Sequence, residues 1–246
     1  MESYKEFAKI YDQLIHSDID YNKWGYKILD ICDNNNVERA DYLDLACGTG
    51  NLTEIISKHF KSTWAVDLSQ EMLTEAEEKL RTFQTKVKFV CQDITNLVLN
   101  RKFDLITCCL DSTNYILEDD ELYNYFKGVY SHLKEEGIFI FDINSYFKLT
   151  KLMGNNTFHY DSEDIVYIWD NYLEDDILDM NLTFFIKEEK LYRRFDENHV
   201  ERAYEEKFIE AMLTDEIGFK LITKLDNYER DSILPDSERI VYVLKK

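Results

Sequence analysis

Five short apolar runs, separated by stretches of helical period, constrain the fold of this chain more than any other feature. DYLDLA (residues 41–46), STWAVD (62–67), VKFVCQD (87–93), FDLITCCL (103–110) and GIFIFDI (137–143) read as strands. Leu52, Ile55, Ile56 and Phe60 share one side of the helix after the first, and Met72, Leu73, Ala76 and Leu80 share one side of the helix after the second, with Ser69 as its N-cap. A helix over 119–133 buries Leu122, Phe126, Val129, Tyr130 and Leu133. Alternation of this kind gives a parallel sheet covered on both faces, with right-handed crossovers. Two helices precede it: one over 4–15, through Tyr4, Phe7, Ala8, Tyr11, Leu14 and Ile15, and one with Trp24, Ile28, Ile31 and Cys32 on one face.

The period changes after about Ser145. In DILDMNLTFFI (176–186), Leu178, Met180, Leu182, Phe184 and Ile186 alternate with polar residues, which is a strand with one wet face. DIVYIWDNYL (164–173) and LYRRFDENHVERAY (191–204) are its expected partners, giving an antiparallel patch of about three strands. A helix through Phe208, Ile209, Met212 and Leu213 then stops at Gly218, and FKLITKL (219–225) and RIVYVLK (239–245) close the sheet as a hairpin-like pair. The expectation is α/β: a seven-stranded, mostly parallel sheet with helices on both faces, formed by 1–145 and 203–246, with a small antiparallel β insert over 146–202.

The formal net charge is −20, from 49 acidic and 29 basic residues, a field that disfavours nucleic acid and anionic membrane without excluding a local basic patch. The five cysteines form no C-x-x-C pair, four lie in or beside apolar runs, and no run approaches the roughly 18 apolar residues of a membrane span. The N-terminus MESYKEFAKIYDQL is charged and amphipathic rather than a signal peptide, so a cytoplasmic location is expected.

The first strand ends in a turn with two glycines, ACGTGNLT (46–53). A P-loop would need a lysine and a hydroxyl residue after the glycines at a spacing absent here. A dinucleotide fold would need a third glycine where Thr53 stands. The remaining reading is a nucleoside that carries an amino acid in place of the pyrophosphate. Asp44, just before the turn, would repel a pyrophosphate but attract an ammonium group. Asp67 ends the second strand 19 positions after Gly48, where a carboxylate accepts both ribose hydroxyls. Asp93 ends the third and can accept from an adenine amino group; Met72, one helical turn past Asp67, can cover a purine face. Each has a bland alternative, capping for the carboxylates and core for Met72, but three successive strand ends carry them together.

These residues resemble the class I methyltransferases that use S-adenosylmethionine: DLACGTGNL, AVDLSQEML and VKFVCQDI look like the family's first three motifs, over roughly 40–145. The resemblance implies a Rossmann-like fold and S-adenosylmethionine as cofactor. By it, Asp44, Ala46, Gly48 and Gly50 would surround the methionine part, Asp67 and Leu68 the ribose, and Met72, Asp93 and Ile94 the adenine. Many members have Gly where Ala46 stands. IYDQLIHSDIDYNKW (10–24) and CCLDSTNYI (108–116) are further similar to N-methyltransferases of the glycine/sarcosine type and their bacterial relatives. That similarity would close Tyr11 and Trp24 over the methionine end and line the pocket with Leu110; without it, both aromatics read as helix core.

Acceptor contacts are expected from Asp111, Asn114 and Tyr115 after strand four, from Asn144 after strand five, and from His199, Arg202 and Tyr204 at the end of the insert, which acts as a substrate lid. A regular strand puts His199 on the opposite face from Arg202 and Tyr204. The five histidines are scattered, so no metal is expected, and no catalytic base is assigned. A small-molecule acceptor is preferred. The alternatives are a tRNA base, an NAD-dependent oxidoreductase (weakened by Thr53) and a non-catalytic S-adenosylmethionine-binding protein.

Overall fold

The computed structural model describes Asp12 and residues 19–82 and 86–246. The expected helix over 4–15 and Tyr11 therefore lie outside the described residues, Asp12 apart. Helix α1 (Tyr21–Asn34) starts where the Asp20 side chain accepts the Lys23 N–H at 3.0 Å. Strands β1 (Asp41–Leu45), β2 (Ser62–Asp67), β3 (Val87–Cys91), β4 (Phe103–Cys108) and β5 (Leu133–Asn144) alternate with α2 (Asn51–Ser57), α3 (Gln70–Thr82) and α4 (Asp119–His132). As expected, Ser69 caps α3: its hydroxyl accepts the Met72 N–H at 3.2 Å.

The main sheet has seven strands in the order β10-β11-β5-β4-β1-β2-β3, with β10 (Lys220–Asp226) and β11 (Arg239–Lys245) antiparallel to each other and β11 antiparallel to β5. The remaining pairs are parallel. Burial on both faces explains the continuous apolar runs: Leu43 and Leu45 of β1 join Phe139, Phe141 and Ile143 of β5 in one core, while Tyr42, Ile138 and Ile140 point into the other. Helix α5 (Glu206–Ala211) continues through a wider turn, Met212–Ile217, and stops at Gly218, whose φ of +96° is the left-handed conformation glycine adopts freely.

The second sheet corrects the expected count. It has four strands, β6 (Thr157–Asp161), β7 (Ile165–Glu174), β8 (Ile177–Glu188) and β9 (Leu191–Arg202), paired in that order. β6 is an edge strand of five residues, all exposed, so it carries no inside–outside contrast for a period-2 reading to detect. No helix among the described residues is long and apolar enough to cross a membrane.

α1 and α2 approach closely at Gly25, where an added Cβ would stand 2.6 Å from the Ile55 Cγ2. In Gly25→Ala the gain in helix propensity, about 1 kcal/mol, is outweighed by overpacking of about 1–3 kcal/mol. The expected result is a lower urea midpoint at unchanged m-value.

Candidate active site

Parallel alternation brings the carboxyl ends of β1 to β5 to one edge of the sheet, and the second sheet lies over that edge. Between them is one cleft of about 1090 Å³. Its first half is lined by Asp44, Ala46, Gly48, Asp67, Leu68, Met72, Asp93 and Ile94, so eight of the residues expected to hold the cofactor share one wall.

The glycine turn is built from left-handed residues: φ is +49° at Ala46, +53° at Gly48 and +78° at Gly50. Ala46 thus occupies a conformation that favours glycine, at a cost of about 1–2 kcal/mol. A Cβ on Gly48 would meet nothing within 4 Å, so that residue is open to the cleft. Gly50 differs from expectation. It starts α2 and packs on α3, where a Cβ would stand 3.2 Å from Ala76 and Leu80, and it does not line the cleft.

Asp67 ties this turn to β2: one carboxylate oxygen accepts the Gly48 N–H and the other the Ser69 N–H, both at 2.8 Å. Burial nevertheless raises its pKa. Asp44 is buried at the end of β1, where it accepts the hydroxyls of Thr53 and, at 2.7 Å, Thr107. Burial pushes its carboxyl up to about 6 despite those bonds. Thr53, the residue that breaks the dinucleotide pattern, therefore holds the carboxylate before the turn. Asp93 caps a short turn, its Oδ1 taking both the N–H and the hydroxyl of Thr95 at 2.8 Å. Leu68 is 56% exposed beside the buried Met72, so a flat apolar group has a surface to lie on.

A contact absent from the sequence reading closes the turn from outside. Asp12 accepts from the Thr49 hydroxyl at 2.6 Å, the Asn51 amide at 3.0 Å and the Lys79 ammonium at 2.7 Å. Burial opposes the Asp12 charge, but Lys79, Thr49 and Asn51 outweigh it and hold the carboxyl below its usual range.

At the other end, Leu110 (φ +64°) and Asp111 (φ +52°) are consecutive left-handed residues after β4. Both of their N–H groups donate to Asp142 of β5, at 2.8 Å each. Asp142 also accepts from the Tyr228 hydroxyl at 2.6 Å and from the Arg239 guanidinium, which reaches Asp111 at 2.7 Å. Burial disfavours the Arg239 charge, but the two carboxylates more than compensate and raise its pKa. Sequence reading missed Asp142, Tyr228 and Arg239, which lie in separate apolar or loop segments.

Trp24 corrects its expected role. It is buried behind this network, stacked on Tyr228 with ring centroids 4.4 Å apart and with the Arg239 guanidinium 5.2 Å from its ring, and it does not line the cleft. Asn114 and Arg202 are also displaced from the cleft. Asn114 is fully buried as a rivet, accepting the Asn144 N–H at 2.9 Å and donating to the carbonyls of Asn144 and Arg202 at 3.2 and 2.9 Å. Arg202 donates to the Leu117 carbonyl at 2.7 Å and to Asp119 at 2.6 Å. Tyr204 is buried over the Ile116 carbonyl.

Leu110, Asp111, Tyr115, Asn144 and His199 do line the second half, with the Tyr115 hydroxyl 3.4 Å from the His199 Nδ1. Burial holds the His199 pKa below its ordinary value. Two further groups join them. Lys148 donates to the Asn144 side-chain carbonyl at 2.9 Å, its pKa lowered by burial and by Arg239. Glu201 accepts the Asn144 amide at 2.9 Å. The alternation that separates His199 from Arg202, carried two residues further, puts Glu201 on the His199 face; that was the available signal. Phe158, Tyr167, Trp169, Met180, Leu182 and Phe184 of the second sheet form the opposite, largely apolar wall.

Residues 43–137 match the family model described as a methyltransferase domain. Over 99% of its length the chain is 34% identical to the methyltransferase-family protein YqeM of Bacillus subtilis (strain 168), covering 97% of it. The crystal structure of an S-adenosylmethionine-dependent methyltransferase from Clostridium acetobutylicum ATCC 824 matches at 54% identity with a TM-score of 0.93, over 98% of both chains. A further relative, the dTDP-3-amino-3,4,6-trideoxy-alpha-D-glucopyranose N,N-dimethyltransferase of Streptomyces venezuelae, is 29% identical over 121 residues, 49% of each protein. At the coverage of the first two, the likeness takes in the second sheet and the cleft as well as the strand-end motifs, and the chain belongs to the family of S-adenosylmethionine-dependent methyltransferases.

Proposed function

We propose that this methyltransferase acts on a small molecule held between its two sheets. The observation that carries the reading is the continuity of the cleft, from the strand-end carboxylates to the aromatic wall of the second sheet. Its volume of about 1090 Å³ leaves room for an acceptor beside a nucleoside-sized cofactor. The net charge of −20 and the Streptomyces relative, whose named substrate is a nucleotide sugar, support a small acceptor over a nucleic acid. The five cysteines are all free thiols, which supports a cytoplasmic location.

The cleft's chemistry fits S-adenosylmethionine. Asp67 would accept the ribose hydroxyls, with Leu68 beside it; Met72, Asp93 and Ile94 would hold the adenine; Asp44, Ala46 and Gly48 would face the methionine part. Leu110 would border the methyl group and Gly50 would support the turn from behind. When bound, the cofactor supplies a methyl group already activated on a sulfonium. The protein's task is then alignment and exclusion of water. Asp111, Tyr115 and His199 stand where an acceptor would lie, under residues 146–202 as a substrate lid on the 1–145 and 203–246 domain.

Incubation with methyl-labelled S-adenosylmethionine and size-separated fractions of a Bacillus subtilis extract tests this. Label is expected in the low-mass fraction, together with a rise in Tm on adding the cofactor. Label in tRNA would replace the reading with base methylation. Binding without transfer to any fraction would leave a non-catalytic binding protein.

A further inference from the structure

β9 turns Glu197, His199 and Glu201 to one side, and Glu201 sits where that side meets the ends of β4 and β5. Its side chain is 3% exposed yet lines the cleft. Among the described residues, Asp111 acts on it from the loop after β4, Lys148 from the turn after β5 and Arg239 from β11; Glu238, just before β11, acts on Lys148, and His199 shares its side of β9. Arg239 is committed to Asp111 and Asp142, and Lys148 donates to the Asn144 carbonyl rather than to Glu201. The only hydrogen bond to the Glu201 side chain among the described residues is from the Asn144 amide. A buried carboxyl beside a second carboxyl, with no cation of its own, is an acceptor for a cation from outside.

We propose that the acceptor is an amine and that Glu201 is the carboxyl group that receives its proton. This rests on the reading that a small molecule is methylated in this cleft. An amine entering as its ammonium form ionises Glu201, whose proton passes to water, and then gives one of its own protons to the carboxylate so formed. Its freed lone pair forms the N–CH3 bond as the S–CH3 bond breaks; the sulfur keeps that electron pair and becomes a neutral thioether. The product leaves as an N-methylammonium, and Glu201 is left protonated, as it is in the empty site.

The alternatives fit the surroundings less well. A carboxylate acceptor would bring a further negative charge beside Asp111, next to a Glu201 carboxyl that burial and Asp111 already keep from ionising. A hydroxyl acceptor would need a far stronger base than a carboxyl. Burial, with the Asp111 charge second, pushes Glu201 up to about 8, within reach of neutral pH, where a general base is effective. Across the cleft, the rings of Tyr167, Trp169 and Phe184 suit an ammonium product.

Sinefungin tests the assignment without knowledge of the acceptor, because it carries an ammonium-bearing carbon where S-adenosylmethionine carries its methylated sulfur. Its binding is compared with that of S-adenosylhomocysteine by calorimetry in buffers of different ionisation enthalpy. Below pH 8 the empty site holds Glu201 mainly protonated, and a bound ammonium ionises it. Sinefungin binding at pH 7 should therefore release close to one proton, and the release should fade as pH rises above 8.

Sinefungin should bind about tenfold or more tightly than S-adenosylhomocysteine to the wild type. In Glu201→Gln that preference and the proton release should both disappear, while S-adenosylhomocysteine affinity, the check on folding, stays within about twofold. Preference and proton release retained in Glu201→Gln, or lost instead in His199→Gln, would overturn the proposal. Failure of the wild type to bind S-adenosylhomocysteine would instead remove the reading on which it rests.

Discussion

Arg239→Met will destabilise the protein by about 3–5 kcal/mol, the cost of removing one partner from a buried ion network. The methionine fills much of the arginine's volume, so the loss is electrostatic rather than a cavity. Asp142 is fully buried and Asp111 nearly so, and without the guanidinium both remain as uncompensated charges. Burial of the arginine itself works against its charge, and only the two carboxylates reverse that balance. Urea denaturation measures the loss, and the double variant Asp142→Asn/Arg239→Met should recover part of it because one of the stranded charges is gone. A loss below about 1 kcal/mol in the single variant would show that the network contributes nothing beyond packing. Since Asp142 also holds the N–H groups of Leu110 and Asp111 in a left-handed pair, the acceptor end of the cleft should lose definition in the same variant.

Asp67→Asn should weaken S-adenosylmethionine and S-adenosylhomocysteine alike by about 100-fold, close to 2.7 kcal/mol. Both oxygens of Asp67 already accept backbone N–H groups, from Gly48 and Ser69. An asparagine must turn its NH2 toward one of those donors, which loosens the glycine turn, and it loses the charge-assisted acceptor for a ribose hydroxyl. Calorimetric titration of both ligands checks this. A change of less than about threefold would mean that the ribose is held elsewhere in the cleft.

The site was legible in the sequence as far as local rules reach. Asp44, Asp67 and Asp93 could be placed because strand–helix alternation puts the carboxyl ends of successive parallel strands on one edge. Trp24 could not, because an aromatic on the apolar face of a helix reads the same whether it meets a ligand or, as here, Tyr228 and Arg239. Asn114 was expected to contact the acceptor, yet it is fully buried and bonds to Asn144 and to the Arg202 carbonyl, 30 and 88 positions away. Thr53 was informative for the glycine it replaces, while its hydroxyl's hold on Asp44 depends on α2 turning back over the end of β1.

Hydrophobic period determined the type and order of the main-sheet strands, and with them the edge where chemistry would gather, because burial on one face or two is written in the spacing of apolar residues; the wholly exposed β6 left no such trace. The tertiary structure decided which polar side chains are buried and with whom. Asp142 meets the Asp111 N–H across 31 positions and Arg239 across 97, and Glu201 meets Asn144 across 57. Charge interaction and desolvation depend on distance through space in a poorly polarisable interior, and no spacing along the chain encodes that distance.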